Sequence, residues 1–576
     1  MFSISIPVKT VLAASFLVGA GCTVTRGDHE PPATTEFYTI TAELALARGE
    51  PRRAALQYEA AAQIDSNPKL LQRATEVASQ TLQPSIVAKV TQRWIAIEPN
   101  SADARRAAAR AALTLYRVDD AAAHYRVWLT TAPDGIDAGL ADVETDLTTD
   151  ENIFGARAVA DRLAASYPES AAVHRVQGLA ALRADDPKAA AQSLSLAVNA
   201  AAPAPAAVSG GAEQDKDDAQ EARRELLQTW SRARILAGDA EEPLGQARAR
   251  MKQEDTAANR FDYAVLLMTA QREKEAMEQL EILSNKPESK GAALRLLGLL
   301  EFQDGHMEAA AARFKQVLRT GKFLDDAFYY MAVIEDRNGD SERALQLYSQ
   351  VKHGENMFPA LLRATALLNQ HGAPNAAEEL LDRLIEDEPD RVPEIVNARA
   401  RMYADAGQLP RASETLQKAV AEYPDSVELR YARASIFEDQ GDVDQALKEL
   451  AQVLKTRPDD PAALNALGFT LADHSKELGR ARTLIERAHT AAPHNAAILD
   501  SLGWVLYRQG HNEEALTYLR AAYKDDRGGD IAAHLGEVLW RQGERDEAQR
   551  IWTEASIIDA DNKLLKRTRQ RLQAAD

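Results

Sequence analysis

Cysteine is almost absent from this chain of 576 residues, in which Cys22 is the only one. A single thiol cannot form an intrachain disulfide, and a thiolate zinc site needs more than one cysteine. Aromatic residues are also scarce, at 6% of the chain. The interior therefore has to be built mainly from small and aliphatic side chains.

Basic residues are fewer than acidic residues. The chain has 68 Lys and Arg against 87 Asp and Glu, a net charge of −19 at pH 7. Nucleic acids are bound through a basic face, so the charge argues against nucleic acid as a partner. A basic protein would instead be attracted to this surface. The alternative is that the charge serves only solubility.

Catalytic and metal-binding motifs are missing too. The chain has no Gly-x-x-x-x-Gly-Lys-Ser/Thr loop and no His-Glu-x-x-His, the patterns that bind phosphates or zinc. An enzyme hidden in residues 200–253 is the alternative, but that stretch contains neither His nor Cys. We therefore predict no catalytic residue, no metal site and no cofactor. Four histidines near the C-terminus are expected to be surface or inter-helix residues: His489, His494, His511 and His534.

The chain does contain a sequence repeat with a regular spacing. Nine alanines follow one another at spacings of 33 to 35 residues, which is the length of one helix–turn–helix unit. They are Ala276, Ala310, Ala344, Ala377, Ala412, Ala446, Ala481, Ala515 and Ala548.

Other positions keep the same register. Small residues recur in each first helix, as Gly468 does in Leu464-x-x-Leu467-Gly468-x-x-Leu471. A second helix contains the string Ala310-x-x-x-Phe314. These strings resemble the tetratricopeptide-repeat (TPR) family, which implies an all-α, TPR-type superhelical solenoid of helix–turn–helix units. A glycine is expected at the turn inside each unit, where a left-handed residue ends the first helix: Gly305, Gly339, Gly372, Gly407, Gly441, Gly510 and Gly543.

The pattern divides the chain. Residues 36–198 contain about five degenerate units, 199–218 form a flexible low-complexity insertion, and 219–560 form the C-terminal array. Residues 561–576 are expected to be a capping helix, because a solenoid must cover its open end. A basic helix lying on a membrane surface is the alternative for this last segment.

Cys22 follows an apolar run, 11–18, that is too short to span a bilayer but fits a signal peptide. The string Leu17-Val18-Gly19-Ala20-Gly21-Cys22 resembles a bacterial lipobox. The resemblance implies a signal peptide at 1–21, acylation of Cys22, a polar tether at 22–35 and, since Thr23 is not Asp, sorting to the outer membrane facing the periplasm. The alternative is an ordinary signal peptide with an incidental thiol.

Tetratricopeptide stacks bind proteins on the concave face, which the first helix of each unit lines. Register assigns a set of inward-facing residues rich in aromatic, arginine and asparagine side chains, types that dominate binding energy or pair with peptide backbone. The alternative is that some aromatics, Trp504 and Trp540 especially, pack between units. The predicted groove residues are Arg295, Phe302, Tyr329, Arg337, Asn397, Arg401, Tyr431, Asn465, Phe469, Asp500, Trp504, Tyr507, Arg508, Trp540 and Arg541.

Lipobox, tether and solenoid together resemble the outer-membrane adaptor lipoproteins of the LbcA/NlpI type. That resemblance implies an adaptor that brings cell-wall hydrolases to a carboxyl-terminal processing protease, raising their effective concentration by tethering. An assembly scaffold for polysaccharide export or for pilus or secretion machinery is the alternative.

Overall fold

The computed structural model describes residues 34–132, 135–200, 213–559 and 562–574. Within these ranges the chain forms thirty-one α-helices and no strand. Consecutive helices pair into fifteen helix–turn–helix units, and a final single helix follows them. The predicted all-α solenoid is confirmed. The predicted signal peptide, Cys22 and nearly all of the tether lie outside the described residues.

The first five units span the predicted degenerate region. Their helices are α1 (Thr35–Ala47), α2 (Pro51–Ile64), α3 (Pro68–Gln80), α4 (Pro84–Ile97), α5 (Ala102–Thr114), α6 (Val118–Thr131), α7 (Ile136–Thr149), α8 (Ile153–Ser166), α9 (Ala171–Arg183) and α10 (Pro187–Ala200).

Ten further units and the last helix follow. They are α11 (Glu213–Leu236), α12 (Glu241–Gln253), α13 (Ala257–Thr269), α14 (Glu273–Ser284), α15 (Lys290–Gln303), α16 (Met307–Thr320), α17 (Leu324–Arg337), α18 (Ser341–Tyr348), α19 (Met357–Gln370), α20 (Pro374–Asp387), α21 (Val392–Asp405), α22 (Leu409–Glu422), α23 (Val427–Asp439), α24 (Val443–Thr456), α25 (Pro461–Asp473), α26 (Leu478–Ala491), α27 (Ala496–Arg508), α28 (Asn512–Asp525), α29 (Gly529–Gln542), α30 (Arg545–Ile558) and α31 (Lys563–Gln573).

The periodic small residues are where helices approach most closely. All nine periodic alanines are fully buried. Gly503 on α27 faces α28, where an added Cβ would lie 2.6 Å from Cγ of Leu519 and 3.0 Å from the carbonyl oxygen of Ala515. Any side chain larger than hydrogen would push the two helices apart, which explains why the register demands small residues.

The turn inside each unit needs a left-handed residue. All seven predicted turn glycines have a positive φ, for example 73° at Gly407. Several other units place a non-glycine residue there, such as Leu82 at 53° and Tyr116 at 58°. A bulky residue in this region carries backbone strain, so these turns differ from the regular ones.

The first helices of the units form the inner side of the superhelix. In the C-terminal array the first helices of neighbouring units pack directly on one another: α21 on α23, α25 on α27 and α27 on α29. Each second helix packs mainly on the first helices before and after it. The side where helices converge is the concave side, so the odd-numbered helices from α15 to α29 line it.

Two predicted boundaries differ from the structure. Helix α10 reaches Ala200 and α11 begins at Glu213, so 199–200 and 213–218 of the predicted insertion are helical, and 201–212 lie outside the described residues. The string of Glu, Gln, Asp and Lys after Gly211 includes good helix formers, which extend α11 backwards.

The last helix covers the end of the stack as expected. Helix α31 packs on α29 and buries Leu565, Thr568 and Leu572. Its neighbour Leu564 is 37% exposed and lies outside this contact. Arg571 forms an ion pair with Glu537 of α29, so the basic side of the helix also takes part in the packing.

Two parts of the superhelix that are far apart in sequence are in contact. Arg52, at the start of α2, donates from Nε to the carbonyl oxygen of Glu422 at 2.9 Å. Ser85, at the start of α4, contacts Asp425 in the loop between α22 and α23. Units one and two therefore touch the junction of units eleven and twelve, about ten units further along the chain.

Candidate protein-binding groove

The groove is the concave surface formed by the inner helices α15, α17, α19, α21, α23, α25, α27 and α29. One register position, four to six residues after the first residue of each of these helices, carries a polar side chain in every unit. Successive members are 34 or 35 residues apart: Arg295, Tyr329, Arg363, Asn397, Tyr431, Asn465, Asp500 and His534. Six of them were predicted. The same period could have identified Arg363, which was missed, whereas His534 is buried against Asp500 between inner helices.

Polar pairs link each inner helix to the next. Arg295 forms an ion pair with Asp326. Arg363 donates from Nε and Nη2 to the two carboxylate oxygens of Asp336 at 2.6 and 3.0 Å. A bidentate pair of this kind fixes the relative position of α17 and α19. These arginines therefore hold the inner helices together and are only partly available to a partner.

The centre of the groove is acidic and half-buried. Glu428 accepts a hydrogen bond from Nδ2 of Asn397 at 3.4 Å. Burial raises the pKa of Glu428, and the nearby carboxylates of Glu394 and Glu151 raise it further, whereas the bond from Asn397 lowers it. Burial likewise raises the pKa of Glu438 on the same helix. This stretch would attract a basic side chain.

Two predicted residues in this stretch have polar atoms without a partner. The Tyr431 hydroxyl and the Oδ1 atom of Asn465 are buried and make no hydrogen bond within the described chain. Burial is also the main reason that the pKa of Tyr431 is raised. Both residues lie on adjacent inner helices, α23 and α25. The Tyr431 hydroxyl and Asn465 Oδ1 are thus the unpaired polar atoms of this part of the groove.

Three predicted groove residues are packing residues instead. Asp500 is 6% exposed, Trp504 5% and Trp540 9%. Trp504 stacks on His534 with ring centroids 4.3 Å apart, and its Nε1 donates to Oδ1 of Asp473 at 3.2 Å. Their predicted position on the groove surface is therefore wrong, because these side chains pack between units.

Trp540 is enclosed in the same way. Its ring stacks on Trp552 of α30 at 5.4 Å, and the guanidinium of Arg545 lies 5.1 Å from its ring centroid. Large rings near the C-terminal end of the solenoid thus fill the space between helices. This is the alternative considered for Trp504 and Trp540.

The remaining predicted residues keep accessible surface. Arg337 is exposed, with its guanidinium 4.7 Å from the ring of Phe302, which is half-buried. Arg401 on α21 and Arg541 on α29 are exposed. The others are half-buried at helix surfaces: Tyr329, Asn397, Phe469, Tyr507 and Arg508.

These half-buried residues are held by neighbours. Tyr507 donates its hydroxyl to Oε1 of Glu537 at 3.5 Å. Arg508 donates to the carbonyl oxygen of Asp473 at 2.7 Å. Phe469 lies 5.7 Å from the His534 ring. The groove therefore offers a set of fixed rings and three exposed arginines rather than a pocket for a small molecule.

Metal binding and membrane crossing would each require a distinct feature. Across the described ranges, no three His, Cys, Asp or Glu side chains lie close enough to share a metal ion. Nor does any helix in those ranges have the length and apolar character needed to cross a bilayer.

Comparison with known proteins identifies the type of repeat. Models of the tetratricopeptide repeat match residues 87–136, 292–355, 361–427, 403–468 and 501–562. Tetratricopeptide repeats thus occur in both arrays. Such repeats generally bind protein partners and are typically non-catalytic, which supports a role as a protein-interaction scaffold.

One curated relative is a protein of Pseudomonas aeruginosa described as TPR repeat-containing protein PA4667. It is 36% identical over 212 residues, which is 37% of this chain and 36% of the relative. The match spans about a third of that protein's length.

Solved structures also match in part. TTC0263, a thermophilic tetratricopeptide-repeat protein of Thermus thermophilus, is 19% identical, with a TM-score of 0.28 over 32% of this chain and 98% of its own. Yeast Tom70 is 12% identical, with a TM-score of 0.31 over 94% of this chain and 95% of its own.

Proposed function

We propose that this chain is a lipid-anchored adaptor at the bacterial outer membrane. It binds periplasmic proteins in the groove and brings cell-wall hydrolases to a carboxyl-terminal processing protease. It performs no chemistry itself. Binding enzyme and substrate on one chain would raise their effective concentration to roughly the millimolar range.

The observation that carries the binding role is the surface of the groove. Exposed Arg337 lies on inner helix α17 with its guanidinium 4.7 Å from the half-buried ring of Phe302, and exposed Arg401 lies on inner helix α21. Arginine and aromatic side chains that are already held in place lose little freedom on binding, so they contribute much of the affinity of protein interfaces.

The anchor is proposed from the lipobox-like string that ends at Cys22. Acyl chains on this residue would hold the chain at the membrane, since two chains suffice for stable anchoring where one does not. Changing Cys22→Ser should abolish incorporation of labelled palmitate and release the protein from the membrane fraction. Labelling that persists in this variant would overturn the anchor.

The partner test is a pull-down of the tagged full-length protein from detergent-solubilised envelopes, with mass spectrometry. The groove variant is Arg337→Ala with Arg401→Ala. The matched control is Arg319→Ala with Lys418→Ala, which removes two exposed cations from the outer helices α16 and α22.

The adaptor predicts that wild type and control recover a periplasmic protease and cell-wall hydrolases, and that the groove variant loses at least one of them. Recovery of export or secretion components without a protease would overturn the adaptor and favour the assembly scaffold. Equal recovery by the groove variant and the control would overturn the groove as the binding site.

A further inference from the structure

Distant units of the solenoid touch through a small set of residues. We call them the clasp: Arg52, Ser85, Tyr116 and Phe154 on the N-terminal side, with Glu422, Tyr423, Asp425, Asp459 and Asp460 on the other. The Arg52 guanidinium lies 3.5 Å from the Tyr423 ring centroid while its Nε donates to the carbonyl oxygen of Glu422. A stacked and hydrogen-bonded arginine is held in one geometry.

Asp425 replaces a missing helix cap. Helix α4 has no side-chain cap of its own, because Gln83 at its N-cap position makes no such bond. Asp425 accepts from the backbone N–H of Ser85 at 3.0 Å and from its hydroxyl at 2.6 Å. A carboxylate at a helix N-terminus satisfies free N–H groups and the helix dipole. This helix thus takes its cap from a unit 340 residues away in sequence.

Tyr116 supports the same assignment independently. It occupies the turn position that glycine takes in regular units, at a φ of 58°. Burial raises its pKa, and the carboxylates of Asp460 and Asp459 raise it further. The Tyr116 ring is therefore half-buried and lies near the carboxylates of a distant loop.

Phe154 adds an apolar contact. This residue, in the first turn of α8, packs against the core cluster of the C-terminal units. The clasp thus runs along one edge of units one to four and meets the edge of units eleven to thirteen.

We propose that the clasp closes the solenoid into a ring around the groove and gates access to it. An extended segment can enter the closed ring end-on. A folded domain can enter only when the clasp opens. A solenoid held only by neighbouring units would have one continuous open side, whereas contact between units ten apart removes that side over one superhelical turn.

The size and chemistry of the clasp suit a gate. Apart from Phe154 and the stacking of Arg52 on the Tyr423 ring its contacts are polar, and Arg52, Ser85 and Tyr116 are half-buried. Water can replace such contacts one by one, so opening does not expose a large apolar surface. The proposal concerns access only and does not depend on which protein the groove binds.

The opening variant is Arg52→Ala with Asp425→Ala in the full chain. Its matched control is Arg53→Ala with Asp390→Ala. Arg53 is next to Arg52 but pairs only with Glu50 of its own unit, and Asp390 follows Pro389 as Asp425 follows Pro424. Small-angle scattering should give a larger radius of gyration for the opening variant and an unchanged one for the control. Circular dichroism should show the same helix content in both.

Access is measured with thiol reagents in a Cys22→Ser background. Arg401→Cys places a thiol on inner helix α21, and Lys418→Cys places one on outer helix α22. The opening variant should react several-fold faster at position 401 with a bulky polyethylene-glycol maleimide, and at the same rate with N-ethylmaleimide. Position 418 should react equally in all variants.

The converse test locks the clasp. Ser85→Cys with Asp425→Cys should form a disulfide on oxidation and slow the bulky reagent at position 401 without affecting the small one. Failure of this pair to cross-link would overturn the contact. Equal bulky-reagent rates in the locked, wild-type and opening forms would overturn the gate.

Discussion

The Nδ1 atom of His534 lies 2.8 Å from Oδ2 of Asp500, in a contact that joins the inner helices α29 and α27. Both side chains are almost fully buried, at 4% and 6% exposure, and the imidazole is covered by the Trp504 ring. Burial alone lowers the pKa of His534, but the charge and hydrogen bond of Asp500, together with Asp473 and Asp530, outweigh it and raise the pKa above its ordinary value.

This pair makes the C-terminal end of the solenoid pH-dependent. Because the pKa is raised in the folded state, the stabilisation is complete below about 6.5, the unfolded-state value, and is lost as pH rises through the folded-state value. The stability difference between wild type and His534→Gln should therefore shrink as pH rises. It can be followed by urea denaturation or by hydrogen exchange in α27 and α29.

Exposed His494→Gln is the control and should show no such trend. Asp500→Asn should lower stability at low pH by about 3–5 kcal/mol, as for a buried pair that loses one partner. A wild-type advantage over His534→Gln that is constant with pH would contradict the assignment.

Helix α29 has no room for a methyl group at Gly536. An added Cβ would lie 1.9 Å from Nε1 of Trp552. Gly536→Ala should destabilise the protein by about 1–3 kcal/mol, the range for an overpacked core. Gly479→Ala on α26, where nothing lies within 4 Å of the added Cβ, should be neutral or stabilising by up to about 1 kcal/mol. Equal urea midpoints for the two variants would show that the α29–α30 contact is looser than described.

Trp504→Ala should act on stability. The ring is 5% exposed and packs between units, so its removal should cost about 3–5 kcal/mol. Arg541→Ala, at an exposed position of the same region, should change stability by less than about 0.5 kcal/mol. The measurement is urea unfolding of each variant. A Trp504→Ala protein with wild-type stability and lost partner binding would return Trp504 to the groove surface.

Glu428 sits in the half-buried acidic stretch near the clasp, and its pKa is raised mainly by burial. A carboxyl with a raised folded-state pKa favours folding at low pH and loses that contribution as pH rises. Glu428→Gln should therefore be more stable than wild type at neutral pH and gain nothing at low pH.

The control for Glu428 is Glu414→Gln on the outer helix α22. The pKa of Glu414 is lowered by its bond to Lys418, so this change should not stabilise the protein at neutral pH. The melting temperature of each variant across pH gives the comparison. A stabilisation by Glu428→Gln that is equal at all pH values would indicate a packing effect.

The sequence alone predicted the features of the fold that recur in every unit. The period assigned the helices, the buried alanines, the turn glycines and the inner register, because each of these is determined within one unit and its neighbour. Register could not say whether a large ring on an inner helix faces a partner or the next helix, and so it misplaced Trp504 and Trp540.

The periodic sequence pattern does not predict the clasp. Arg52 and the carbonyl of Glu422 are 370 residues apart, and neither lies in a motif. Their meeting depends on the accumulated rotation of ten units, and small changes in each rotation add up. Tyr116 replaces a turn glycine, but so does Leu82, and a replaced glycine does not indicate a contact or its partner.

Closure makes the number of units a fixed quantity. In an open solenoid a unit can be duplicated or deleted with only local consequences, because each unit contacts only its neighbours. Here the loss of one unit anywhere between Ser85 and Asp425 would shift one edge by about a tenth of a turn relative to the other and separate the cap from its helix. Closure therefore favours a constant number of units between Ser85 and Asp425 and sets no such condition on the units beyond them.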